Sequence, residues 1–133
     1  MIIGMAHVCF IVSDLNRSLH FYRDCLGLTE AFGFTHKDGK CYGLYLHVGA
    51  RNFVELFEGA VGVRAEGQSY AHVCLEVDDI ESTVKSLRKH GIEVSDIKRG
   101  SDRSYQAWLA DPDGNRIELH GYTPESWQEP WLK

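Results

Sequence analysis

Four side chains able to bind a metal recur in pairs along this chain. Ala6-His7-Val8-Cys9 returns 65 residues later as Ala71-His72-Val73-Cys74, and Asn52-Phe53-Val54-Glu55-Leu56 is echoed 63 residues on by Asn115-Arg116-Ile117-Glu118-Leu119. Each repeat therefore carries one histidine near its start and one glutamate near its end. Neutral imidazoles and carboxylates are direct donors for divalent transition metals. An ion held by His7, Glu55, His72 and Glu118 would polarise a substrate carbonyl and stabilise the enediolate left when a neighbouring carbon loses its proton. A carboxylate that loosens from the metal could take that proton and return it to the next carbon, an isomerisation. Glu118 is the first choice for this base and Glu55 is its symmetry partner.

The elements that must position these residues follow from apolar periodicity. Residues 6–12 read as a strand with His7, Cys9 and Ile11 on one face and Val8, Phe10 and Val12 on the other. Ser13 or Asp14 then caps a helix marked by Leu15, Leu19, Tyr22 and Leu26 and stopped by Gly27. Strands are expected at 28–36, 41–48 and 52–58, with Asp38-Gly39 turning the first into the second. The second half repeats this order: a strand at 71–77, a helix with Ile80, Val84 and Leu87 capped by Asp78 or Asp79 and ended by Gly91, then strands at 92–98, 104–110 and 115–121. Asp111-Pro112-Asp113-Gly114 is the strongest turn.

The fold class is therefore α+β, two tandem βαβββ modules forming a curved mixed sheet around a cavity with the helices outside. The expected organisation is one domain over residues 1–133: module 1 at 6–58, a glycine-bearing linker at 59–69, module 2 at 70–122 and a tail at 123–133. Because strand residues alternate faces, Val54, Leu56, Ile117 and Leu119 should lie under the helices. Glu55, Glu118, His7 and His72 should then take the opposite face. Packing two such halves, from one chain or two, around a shared hollow would bring two His-Glu pairs together.

Composition narrows the partners. The chain has 133 residues, 14 basic and 19 acidic, for a formal charge of −5, and no basic run that would suit a phosphate backbone. Nucleic acid is not an expected partner. No apolar stretch approaches the roughly 18 residues of a membrane span, and the apolar start is too short for a signal core. A cytoplasmic protein without membrane association is expected. The four cysteines form no Cys-x-x-Cys pair, so reduced thiols are the default.

With these residues in hand, the chain resembles the vicinal oxygen chelate superfamily. The resemblance rests on the early strand histidine, the Ser13-Asp14-Leu15 to Phe21-Tyr22 to Leu26-Gly27-Leu28 pattern, Glu55, His72, and the run from Asp111 through Asn115-Arg116-Ile117 to Glu118-Leu119. It covers nearly the whole chain and is strongest toward the glyoxalase I branch. That resemblance implies paired βαβββ modules, a divalent metal cofactor on the four residues, a small-molecule substrate chelated through adjacent oxygens, and a homodimer. Zinc or nickel comes first as the metal, with manganese, cobalt and iron also compatible with such donors. The implied reaction is that of a lyase or isomerase acting on the hemithioacetal of methylglyoxal and glutathione.

Two departures bear on the substrate. Glutathione-using bacterial members usually carry arginine four residues after the first ligand histidine, where this chain has Ile11, and asparagine shortly after the first ligand glutamate, where it has Glu58 and Gly59. Arg51, Lys98, Arg99 and Arg103 are the remaining cationic candidates. Other enzymes of the scaffold are an acyl-CoA epimerase, an extradiol-type dioxygenase and a fosfomycin thiol transferase. A metal-free binding module of the bleomycin-resistance kind is a third class. The complete His-Glu-His-Glu set favours the first reading.

A lone strand histidine is more often structural than a ligand, but repetition at an equivalent place reverses that weighting. Cys9 and Cys74 share the histidine face and read first as small buried fillers. His120 shares the face of Glu118 and could bind substrate or metal, with a core or solvated histidine as the plainer reading. His20, His36, His47 and His90 have no repeat counterpart. Tyr45, Phe53, Phe57, Tyr105 and Trp108 read as walls and core. The tail, with Trp127 and Trp131, is expected to pack on the body, on a partner chain or over the cavity mouth.

Overall fold

The structure, a computed structural model, describes all 133 residues. It separates the chain into two compact units, Met1–Gly67 and Gln68–Lys133. The first contains strands β1 (His7–Val12), β2 (Thr29–Thr35), β3 (Cys41–Gly49) and β4 (Asn52–Glu58), with helix α1 (Leu15–Leu19) after β1. The second contains β5 (Val73–Glu76), helix α2 (Ile80–Lys89), β6 (Lys98–Arg99), β7 (Tyr105–Ala110) and β8 (Arg116–Gly121).

Each unit is a four-stranded open sheet of the same topology. The orders are β1-β4-β3-β2 and β5-β8-β7-β6, with the first and last strands of each unit parallel and the others antiparallel. The α+β duplicated architecture expected from the repeat is therefore present in both halves. No helix is long and apolar enough to cross a membrane.

Alternation puts the apolar set on one face of each sheet, as expected. Phe10, Val12, Leu44, Leu46, Val54 and Leu56 are buried in the first unit, and Ala107, Leu109, Ile117 and Leu119 in the second. The helices cover these faces through Leu15, Phe21 and Tyr22 in one unit and Ile80, Val84 and Leu87 in the other. At roughly 1.5–3 kcal/mol for each fully buried large apolar side chain, these two cores are the main term holding the sheets in place.

Both helices begin at equivalent caps. Asp14 accepts from Arg17 N at 3.0 Å and Asp79 accepts from Ser82 N at 3.0 Å, satisfying backbone donors that the first turn leaves without partners. At the far ends Gly27 and Gly91 take φ of +79° and +77°, a left-handed conformation that glycine adopts without strain. The expected turns form as well. His36 N donates to Lys40 O around Gly39, and Asp111 N donates to Asn115 O around Gly114.

Two elements differ from expectation. The first helix is regular only to Leu19 and then widens into a π-helical stretch, His20–Cys25, with a Leu26 N to Phe21 O bond of 2.9 Å. The consecutive aromatics Phe21 and Tyr22 are both buried, and a wider turn lets two adjacent rings face the sheet. The second correction is the strand expected at 92–98, of which only Lys98, the first residue of β6, is in a strand. Arg88 donates to the carbonyls of Val94 and Ser95 at 2.9 and 3.1 Å, and Trp108 N donates to Ser95 Oγ at 2.8 Å. Side-chain bonds have taken several of the groups that a ladder would have used, leaving Ser95 N to Trp108 O at 2.9 Å as a backbone link to β7.

Candidate functional site

The register of the parallel pairs fixes the candidate residues. In the first unit Cys9 stands opposite Glu55 and Tyr45 opposite Glu55 on its other side. In the second, Cys74 and Trp108 flank Glu118 in the same way. Each glutamate thus sits in mid-strand on the face away from the apolar core.

Within each unit the histidine and glutamate meet. His7 Nε2 lies 3.5 Å from Glu55 Oε2 and His72 Nε2 lies 3.0 Å from Glu118 Oε2. The carboxylates are largely sunk, with side-chain exposures of 14% and 12%. Two donors each about 2.1 Å from one ion stand about 3.0 Å apart at a right angle and about 3.4 Å apart at a tetrahedral angle. Both separations suit a shared ion, and 3.5 Å is long for a direct hydrogen bond. The donor chemistry and spacing of each pair fit a divalent metal.

Neighbouring groups differ between the units. Around Glu55, burial first and then the hydrogen bond to the carboxylate push the Cys9 thiol up to about 11. The Tyr45 hydroxyl is raised chiefly by its hydrogen bond to Glu55, and its ring meets that of His7 edge-on with centroids 5.7 Å apart. Around Glu118, burial first and then the charges of Glu118 and Asp102 push the Cys74 thiol up to about 12. The edge of Trp108 meets the His72 ring at 4.7 Å.

The second unit has a further histidine at the carboxylate. His120, only 8% exposed, has Nδ1 3.0 Å from Glu118 Oε1. An ionised carboxylate can only accept, so the imidazole donates here. Its Nε2 is buried without a hydrogen-bond partner and lies 3.6 Å from Asp102 Oδ2. Donor atoms of Cys74, Glu118 and His120 all fall within 4.8 Å of one another.

Several sequence expectations are corrected at this face. Cys9 and Cys74 keep solvent-accessible surface rather than being buried fillers, because they stand on the carboxylate face and not under the helices, although the protein packed around each sulfur still desolvates the thiol itself. Of the two plainer readings of His120, core or solvated, the structure bears out the core one, and its ring is bonded to Glu118. Arg99 pairs with Glu125 of the tail. The tail itself is anchored by polar groups, while Trp127 and Trp131 stay 65% and 86% exposed. Gln128 has no counterpart in the first half, and Asp102 repeats Asp38 only as a turn residue, each carboxylate accepting from the amide two residues on, Lys40 N at 2.9 Å and Ser104 N at 3.1 Å. Their importance comes from folding alone.

Residues 4–119 match the Glyoxalase/Bleomycin resistance protein/Dioxygenase superfamily. The chain belongs to that superfamily, the vicinal oxygen chelate group that its motifs resemble. It is 30% identical over 128 residues to the metallothiol transferase FosB of Staphylococcus epidermidis, covering 90% of this chain and 82% of that protein. It is also 30% identical over 121 residues to the lactoylglutathione lyase of Haemophilus influenzae, covering 85% of this chain and 88% of that one. A probable chloroplastic lactoylglutathione lyase of Arabidopsis thaliana is 30% identical over 131 residues, 91% of this chain, which spans only 37% of that protein's length. Among solved structures, a glyoxalase family protein from Enterococcus faecalis shares the fold at a TM-score of 0.75 and 23% identity, covering 88% of this chain and 96% of that one.

Proposed function

We propose that this chain is a metal-dependent lyase or isomerase of the glyoxalase I kind. Its metal ligands are His7 and Glu55 in one unit and His72 and Glu118 in the other. Zinc or nickel is the first candidate, and manganese, cobalt or iron suits the same donors. The observation that carries the reading is the paired geometry: each repeat sets a histidine nitrogen 3.5 or 3.0 Å from a sunken carboxylate, at the same ladder position. One domain of two modules, working as a cytoplasmic homodimer on a small molecule, completes the proposal by analogy with the superfamily.

When bound, the ion supplies Lewis acidity that polarises a carbonyl and acidifies the neighbouring C–H. Glu118 is the base. Its Oε1 is occupied by the N–H of His120, so the abstracted proton would go to Oε2 once that oxygen is released from ligation, and from there to the adjacent carbon. Glu55 is its counterpart, with the Cys9 thiol and the Tyr45 hydroxyl hydrogen-bonded to it. Trp108 covers one side of His72 and keeps water from that edge.

The substrate is a small carbonyl or thiohemiacetal. Ile11 and Glu58-Gly59 stand where the resemblance would place glutathione contacts, so the remainder of the substrate differs from glutathione. A second reading, thiol transfer to an electrophile such as fosfomycin, is supported by the 30% identity to a metallothiol transferase of similar length. Glu55 counts against it, because the resemblance gives such transferases a His-His-Glu set of three.

The test is metal content after purification without added metal, repeated on His7→Ala and Glu118→Ala, with chelated samples reloaded with single metals. Near-stoichiometric metal lost in both variants is expected. Turnover of a methylglyoxal hemithioacetal against thiol addition to fosfomycin then separates the two readings. No binding under any loading would sink both.

A further inference from the structure

We propose that the segment following β8 positions the metal-binding carboxylate of the second unit, through Gln128, Asp102 and His120, and so sets how tightly that carboxylate holds the ion. The inference rests on the reading of Glu118 as a metal ligand. It assigns a task to a tail that the catalytic proposal does not use.

The contacts run in one direction. Gln128 Nε2 donates to Asp102 Oδ2 at 2.6 Å, Ser104 N donates to Asp102 Oδ1 at 3.1 Å, and Trp127 N donates to Asp102 O at 3.0 Å. Hydrogen bonding from Gln128, foremost, holds the Asp102 carboxyl below its ordinary value. That carboxylate packs against Nε2 of His120 at 3.6 Å, beyond hydrogen-bond reach, and Nδ1 of the same ring donates to Glu118 Oε1 at 3.0 Å. Glu118 Oε2 is then the oxygen left for His72. The Tyr122 ring lies edge-on to His120 at 4.8 Å and limits its rotation.

Plain packing does not account for this arrangement. A tail held by the hydrophobic effect would bury its tryptophans, yet both are exposed while Ser104 and Ser126 are buried and bonded at 2.8 Å. Two tail bonds, from Gln128 Nε2 and Trp127 N, reach Asp102, while Arg99, Arg103 and Ser104 take the others, and Asp102 alone of these lies against His120. The repeat provides an internal control. The residue two places after Glu55 is Phe57, which cannot donate, and the chain beyond β4 is the linker. Glu55 has the Cys9 thiol and the Tyr45 hydroxyl as hydrogen-bonded neighbours, but only Glu118 has an imidazole donor with the tail behind it. Hydrogen-bonded partners of a metal ligand fix its rotamer, and their loss typically costs about 10- to 100-fold in metal affinity.

The experiment is a chelator-competition titration with cobalt or zinc on the full chain, alongside thermal melting. His120→Phe, which installs the residue of the first repeat, should weaken binding by about 10- to 100-fold. Gln128→Leu should weaken it in the same direction by less, and His120→Asn, whose amide nitrogen can replace the Nδ1 donor, should restore part. Trp131→Ala should bind as the wild type. Unchanged affinity in both His120→Phe and Gln128→Leu would overturn the brace, as would an equal loss in Trp131→Ala. Should His120→Phe fail to fold, the Gln128→Leu and His120→Asn affinities decide alone. A wild type that binds no metal refutes the proposed function instead, so the two failures are distinct.

Discussion

Cys9 stands directly across the β1·β4 ladder from Glu55, and Cys74 repeats that relation to Glu118 across β5·β8. A thiol beside a sunken carboxylate is a poor nucleophile, because burial and the neighbouring negative charge both penalise the thiolate. Cys9 is pushed up to about 11 and Cys74 to about 12. Duplication has thus produced two silent thiols rather than two reactive ones.

Their reaction with a thiol reagent should therefore be slow at pH 8 and climb only as the pH nears 11 and 12, with Cys74 the later. The measurement is a pH–rate profile in a Cys25→Ser, Cys41→Ser background. Glu55→Gln should bring the Cys9 profile part of the way down, since burial remains. An unfolded thiol ionises near about 8.5, so above that pH the folded state binds more protons and stability falls as pH rises toward the folded values. A profile for either thiol centred near neutrality would contradict the geometry.

The order of the two glutamates in catalysis is open to a direct ranking. Glu118→Gln keeps shape and an acceptor oxygen but cannot take a proton, so kcat on a turned-over carbonyl substrate should fall about 100-fold or more. Glu55→Gln should cost less. Metal content measured beside the rates separates loss of base from loss of ion, and solvent deuterium in the product reports the proton path. A larger loss in Glu55→Gln would transfer the base to the first unit.

The pairing of His7 with Glu55 and of His72 with Glu118 was legible because a strand alternates faces, and two apolar neighbours fix where the residue between them points. The turns at Gly39 and Gly114 were legible through the left-handed backbone that glycine accepts. Asp102 and Gln128 were not. They lie in irregular chain 18 and 8 residues from His120, where no period relates sequence to direction. The strand expected at 92–98 failed for a related reason, since Arg88 and the Ser95 hydroxyl satisfy its backbone by side-chain contacts that no propensity contains.

The two helix caps look equivalent but should not weigh equally. Removing an N-cap aspartate costs typically about 1 kcal/mol. At α1, Glu58 Oε2 also accepts from Leu15 N at 3.0 Å, so a second carboxylate remains at that helix start. At α2, Asp79 also accepts through its backbone oxygen from the Thr83 and Ser82 hydroxyls, and those bonds survive side-chain loss without serving the first-turn amides. Asp79→Ala should therefore destabilise more than Asp14→Ala in urea unfolding. In a Glu58→Ala background the two should draw level.

Asp111 is where the turn before β8 takes its shape, and thereby where Glu118 takes its place. Its carboxylate is buried and accepts from Asp113 N at 3.0 Å, Asn115 N at 2.8 Å and Asn115 Nδ2 at 2.9 Å. Removing that acceptor strands donors that water reaches poorly, at about 1–3 kcal/mol for each group left unsatisfied. Asp111→Ala should therefore lower unfolding free energy by about 2–4 kcal/mol, whereas Asp111→Asn, which keeps one acceptor oxygen, should lose less than half as much. The loss should extend to the metal site, because β8 starts at Arg116, one residue beyond Asn115. Metal affinity measured well below the melting temperature should fall in Asp111→Ala even where the protein is fully folded. A stability loss with unchanged affinity would mean that β8 keeps its register without the turn.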